Sequence, residues 1–150
     1  MPALSIIAAL TETGRAKIAD MTISGRGFQV QKFVIGRGGH DPGNPAVALT
    51  PDPQAVTLPD QTFGPKLVVF PTPQFSGILV TPFCPQFTAL LDYTEANGFV
   101  SSVGLIARIV SSPILADPLI GTEFLFAYGN RPLIVKTDAD QFQIDIQLQT

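Results

Sequence analysis

Ten of the chain's 14 prolines fall between Pro42 and Pro85, and no other stretch limits its 150 residues more. Proline has no N–H to donate and a fixed φ, so regular helix cannot persist there and a central strand cannot form. Interleaved with the prolines are Val47, Leu49, Val56, Leu58, Phe63, Leu67, Val68, Val69, Phe70 and Phe75, too apolar a set for a free linker. The expectation is a long ordered excursion, residues 42–85, that serves as an interface arm within a single domain spanning 1–150.

Outside that stretch the periodicity is that of strands. Phe142, Ile144, Ile146 and Leu148 alternate with Gln141, Gln143, Asp145, Gln147 and Gln149, a half-buried strand with a solvated face of uncharged amides. Residues 123–129 are apolar on both faces, as a central strand is. Arg131-Pro132 breaks the run, and a further β segment follows at 133–136. Phe87, Ala89, Leu91 and Tyr93 share one side of another strand. Asn97-Gly98 then predicts a hairpin turn into a return strand over 99–109. Residues 28–36 alternate and then slip phase at Lys32-Phe33, which a β-bulge explains.

One segment reads as helix. Leu10, Gly14, Ile18 and Met21 recur at helical spacing, with Thr11 or Thr13 as N-cap. Gly14 weakens helix propensity, but its missing side chain lets the first turn approach a sheet closely. The fold class expected is therefore mainly β (α+β): an antiparallel β-sandwich with one short N-terminal helix and the Pro-rich excursion.

Charge narrows the function. Nine basic and 12 acidic residues give a net charge of −3 and only 14% charged residues, against roughly a quarter in an ordinary soluble domain. The net charge and the absence of any run of basic residues argue against a nucleic-acid binder. The apolar N-terminal stretch stops at Thr11, short of the ~20 residues a bilayer span needs, and lacks the basic start of a secretory signal. Neither nucleic-acid binding nor membrane insertion is expected, and synthesis belongs in the cytoplasm. With so few charges the surface falls to amides, hydroxyls, prolines and leftover apolar groups, a surface suited to coverage by partners.

Groups for chemistry are sparse. His40 is the only histidine and Cys84 the only cysteine, so a triad, a His-rich metal cluster or a disulfide framework has too few members. His40 lies in a glycine-rich loop, Gly36-Arg37-Gly38-Gly39-His40-Asp41. That loop reads as a turn whose glycines supply unusual backbone angles and whose His and Asp cap local amides. Asp41 and the prolines after it stand where a dinucleotide fingerprint needs its third glycine and a helix. Asp138-x-Asp140 lacks the remaining ligands of a calcium loop and reads as an Asx-turn. Phe63, Phe70, Phe75, Phe83 and Phe87 form the candidate interface, since rings of this size usually bury against a core or a partner. Cys84 reads as an inert buried thiol, with no cation near it. No catalytic residue, metal or cofactor is expected.

The order of motifs resembles the N-terminal, baseplate-attaching domain of bacteriophage tail-collar fibre proteins. The resembling residues are Leu10-Thr11-Glu12-Thr13-Gly14, then Val34-Ile35-Gly36-Arg37-Gly38-Gly39 with Asp41-Pro42, later Ser102-Val103-Gly104-Leu105-Ile106, and finally Ala127-Tyr128-Gly129-Asn130-Arg131-Pro132. The resemblance implies a virion structural protein at the tail or baseplate, without catalysis, that joins fibres to the distal tail. Its partners would be other tail proteins and further copies of itself, a trimer as fibres commonly are. The family-motif loop would be Gly36, Gly38, Gly39 and Asp41, with Arg37 where an acidic residue is common. A chain that stops at Thr150 implies a freestanding adaptor whose shaft is another polypeptide. Two other readings share the low charge: a carbohydrate-binding β-sandwich for host-surface adhesion, and a capsid-decoration or head-completion subunit.

Overall fold

The computed structural model describes residues 3–69 and 86–149. Strand β1 (Ala3–Leu10) leads into helix α1 (Glu12–Ser24) and strand β2 (Gly27–Gly36). A small hairpin, β3 (His40–Asp41) and β4 (Asn44–Ala48), precedes β5 (Gln61–Leu67). The remaining strands are β6 (Gln86–Leu91), β7 (Gly98–Ser111), β8 (Glu123–Lys136) and β9 (Phe142–Gln149).

The mainly β character with one short helix is as the sequence implies; the layering differs. Seven strands form one sheet in the order β5-β2-β7-β8-β1-β9-β6, and β3-β4 form a second small sheet. The large sheet curls until its edges almost meet: Val69, just beyond β5, bridges Thr88 of β6 through a 2.9 Å backbone hydrogen bond. Neither two stacked sheets nor a purely antiparallel arrangement results, because β1 runs parallel to β9 from Ala3↔Gln143 to Ala9↔Gln149. Bulges assist the curl by sharpening local twist. One interrupts β2 between Val30 and Lys32, where the phase slip predicts it, and others interrupt the β7–β8 ladder.

Alternation along the strands fills the curled interior. Ile6 and Ala8, Phe33 and Ile35, Ala89 and Leu91, Val103 and Leu105, and Phe142, Ile144, Ile146 and Leu148 all belong to one buried cluster. The C-terminal strand thus buries the set its period-two pattern selects. Residues 125–128 of β8 are buried on both faces. Phe126 faces the main cluster, while Leu125 and Tyr128 join Val34 and Leu58 in a second, outer one. Pro132 does not end β8; the strand continues to Lys136, with two extra residues opposite Val100–Ser102 of β7 absorbing the missing donor.

The hairpin expected after Asn97-Gly98 does not form. β6 pairs with β9, whereas β7 pairs with β2 and β8. Residues 92–97 instead cross the end of the barrel, held by Lys136, which is 1% exposed. Its Nζ donates to Asp92 O at 2.7 Å and to Asn97 Oδ1 at 2.8 Å. A buried ammonium that draws in two oxygens of the link bends the chain across the barrel mouth, away from its own strand.

Thr11 caps α1: its Oγ1 accepts the Gly14 N–H at 2.9 Å and donates to Leu125 O at 2.7 Å. Gly14 is the buried residue of the helix, and a Cβ there would collide with the Phe126 carbonyl. The close approach expected of Gly14 is therefore real. The expected inward stripe is not, since Ile18, Met21 and Ile23 are all exposed. The helix packs on the sheet backbone by its first turn, Lys17 lies over the Phe124 ring at 5.6 Å, and the apolar side chains of its far end stay exposed.

Residues 42–69 of the Pro-rich stretch lie on their own barrel. The Asp52 N–H donates to the Tyr128 hydroxyl, Pro53 O accepts the Glu12 N–H at 2.7 Å, and Leu58 is 4% exposed over the outer cluster.

Candidate functional site

The glycine-rich loop follows β2 and packs backbone to backbone on β7. A Cβ on Gly36 would lie 2.6 Å from Ser102 Oγ, and one on Gly38 3.0 Å from Pro59 O. One on Gly39 would overlap the Ser101 carbonyl. None of the three has positive φ. The glycines are needed for close approach, not for unusual backbone angles as expected. Asp41 Oδ1 accepts the Gly43 N–H at 2.8 Å, an Asx-turn.

Ser101 is the residue that sequence reasoning missed here. It is fully buried, accepts the Gly39 N–H at 2.9 Å and lies 2.9 Å from His40 Nδ1. A hydroxyl sealed beneath the loop cannot meet a substrate, so the pair fixes the loop and aims the imidazole. Only the tertiary fold brings Ser101 under Gly39; 62 positions separate them.

With flanking glycines pressed inward, Arg37 projects outward between two adjoining clefts. The first, about 340 Å³, is lined by Arg37, His40, Leu49, Asp60 and Phe99. The second, about 260 Å³, is lined by Arg37, Thr62, Asn97 and Phe99. Phe99, at the start of β7, is 52% exposed. The Arg37 N–H donates to Asp60 O at 3.1 Å. Among the described residues, however, neither side chain has an ion-pair or hydrogen-bond partner. No group of three or more His, Cys, Asp or Glu that could hold a metal occurs among the described residues.

A second region is apolar. At the far end of α1 and on the β7–β8 connection, Ile23 is 87% and Leu115 97% exposed, with Met21, Ile114, Leu119 and Ile120 also exposed. The two segments touch, since a Cβ on Gly25 would lie 3.3 Å from Pro113 Cγ. A partly buried ion pair fastens them: Arg26 Nε to Asp117 Oδ2 at 2.6 Å. Asp117 also accepts Ser112 Oγ at 2.6 Å and the Leu119 N–H at 3.0 Å. The Ser112 hydroxyl, then Arg26 and the Leu119 amide, lower the Asp117 pKa to about 2. The connection is thus a built loop that displays its aliphatic side chains outward.

Two of the candidate interface rings, Phe63 and Phe87, lie among the described residues. Phe87 is 7% exposed inside the barrel, and Phe63 is half-buried with its ring centroid 6.4 Å from that of Phe33. Phe70, Phe75, Phe83 and Cys84 lie outside the described residues. No helix among the described residues is long and apolar enough to cross a membrane. Set against protein-family models, curated proteins and solved structures, the chain matches none.

Proposed function

We propose that the chain is a structural adaptor of a bacteriophage tail, a baseplate or fibre connector that works by protein–protein contact. The apolar end formed by Ile23, Ile114, Leu115 and Ile120 carries this reading. Large aliphatic side chains held outward on a loop fixed by Arg26 and Asp117 are costly to leave in water and suited to burial by a partner. A chain with 14% charged residues has little ionic rim to repel such a partner.

The motifs behind the resemblance support the same reading, because in space they form one piece of scaffold. Thr11 and Gly14 dock on residues 125 and 126 of β8, the glycine loop docks on Ser101 and Ser102, and Asn130 Nδ2 donates to Leu49 O at 2.9 Å. Tyr128 clamps Asp52. Motifs used this way specify a fold, as a structural protein requires.

Light scattering on the intact protein, alone and with purified distal-tail components, tests the proposal. Self-assembly or complex formation that is lost in Ile23→Asp/Leu115→Asp is expected, with the chain found in the tail fraction of disrupted particles. A monomer that binds no tail component, or a chain confined to the head fraction, overturns it.

A further inference from the structure

We propose that the double cleft around Arg37 and Phe99 binds a neutral pyranose sugar. This inference is independent of the adaptor reading, which rests on the opposite set of residues. Arg37 and Asp60 face one cleft with their backbones hydrogen-bonded at 3.1 Å, yet among the described residues their side chains are paired neither with each other nor elsewhere. A cation and a carboxylate side by side, each with unused hydrogen-bonding capacity, fit a ligand that both donates and accepts at neighbouring atoms. Vicinal hydroxyls do so: Arg37 donates to one oxygen and Asp60 accepts the proton of the next. Formal charges in the cleft cancel, so a ligand with net charge gains no net attraction over a neutral one.

Phe99 supplies the other half of such a site. It is an aromatic ring, half exposed and shared by both clefts, which offers a flat apolar face to the C–H side of a sugar ring. Thr62 adds a hydroxyl on the second cleft, and His40 a nitrogen on the first. Asn97 is already half engaged, because its amide donates to Tyr93 O and accepts from Lys136. The platform is rigid, since Gly36, Gly38 and Gly39 are packed without side chains on β7 and Ser101 locks the loop. Preorganisation of this kind limits the ordering cost of binding a small ligand.

The test is an NMR titration of the ¹⁵N-labelled full chain with the methyl glycosides of glucose, galactose and mannose, up to concentrations on the order of 10 mM. Glycerol, glucuronate and glycine serve as comparison probes. Saturable shifts at the Arg37, Asp60 and Phe99 amides are expected with at least one glycoside. Phe99→Ala and Asp60→Asn should each weaken that binding about tenfold. Asp60→Asn keeps the shape, the backbone carbonyl and tolerance of the φ of 50° at this position, so loss of fold does not obscure its effect. Three results overturn the proposal: no glycoside shifts these amides; glycerol matches the glycosides, which removes the ring from the recognition; or glucuronate or glycine binds more tightly than every neutral sugar.

Discussion

Arg26 Nε donates to Asp117 Oδ2 over 2.6 Å, across 91 positions of sequence. This bond ties the end of α1 to the β7–β8 connection, and its partners set a pH dependence. The folded-state pKa of Asp117 is about 2, below the ordinary 3.8. Its stabilisation is therefore complete above the unfolded value and is lost as pH falls from about 3.8 through about 2. Thermal melting followed from about pH 7 to about pH 1.5 should show this acid step, and Asp117→Asn should flatten it while lowering the melting temperature at neutral pH. Equal slopes for the two proteins would refute the assignment.

Gly14→Ala reverses the usual sign of a helix substitution. In an exposed helix, alanine gains about 1 kcal/mol over glycine. Here the added Cβ collides with the Phe126 carbonyl, so a loss of about 1–3 kcal/mol is expected. Urea denaturation checks it, with Ala16→Gly, on the exposed side of the same helix, expected to cost about 1 kcal/mol.

Lys136→Met removes the donor that Asp92 O, Tyr93 O and Asn97 Oδ1 share. Asp92 O keeps the Glu95 N–H and Tyr93 O keeps the Asn97 amide, but Asn97 Oδ1 is left without a donor, and a loss of about 1–3 kcal/mol in denaturant melts is expected. Hydrogen exchange should accelerate first in residues 92–97, the link that this ammonium holds. A variant within about 0.5 kcal/mol of the parent would show that the crossing link does not depend on Lys136.

Leu115→Asp should leave the fold alone and change what it touches. The side chain is 97% exposed, so stability should move by less than about 0.5 kcal/mol. Association through the apolar end should fall at least tenfold, on the order of 1.4 kcal/mol or more. Sedimentation velocity over a concentration series, parent against variant, measures both the state of assembly and the integrity of the monomer.

Local chemistry was the legible part of this fold. The alternation of β9, the bulge near Lys32, the cap at Thr11 and the close approach of Gly14 each follow from neighbours in sequence, and each is present. Pairing was not legible. Asn97-Gly98 has the residues of a hairpin turn, with Gly98 at a φ of 109°. The partner of β6 is nevertheless decided by curling of the whole sheet and by Lys136, 39 positions beyond Asn97. The parallel register of β1 with β9 joins residues some 140 positions apart, and no local pattern encodes it. The candidate site divides the same way. The glycine loop was visible as glycines, while Ser101, Asp60 and Phe99 join it only through β7 and the return of the chain into β5. Size marks Phe63, Phe70, Phe75, Phe83 and Phe87 as candidate interface rings, and size alone does not separate a core ring such as Phe87 from a displayed one such as Phe99.

Placement of β9 between β1 and β6 bears on how the protein is made. A ribosome releases residues 142–149 after the other strands of the sheet, so until they emerge the facing edges of β1 and β6 have no neighbour and Ile6, Ala8, Ala89 and Leu91 have no closed interior to enter. Sheet closure must wait for β9. A nascent chain with so many distant pairings and so little charge is exposed during that interval to association with its own kind, and chaperone binding at the exit tunnel is the natural safeguard.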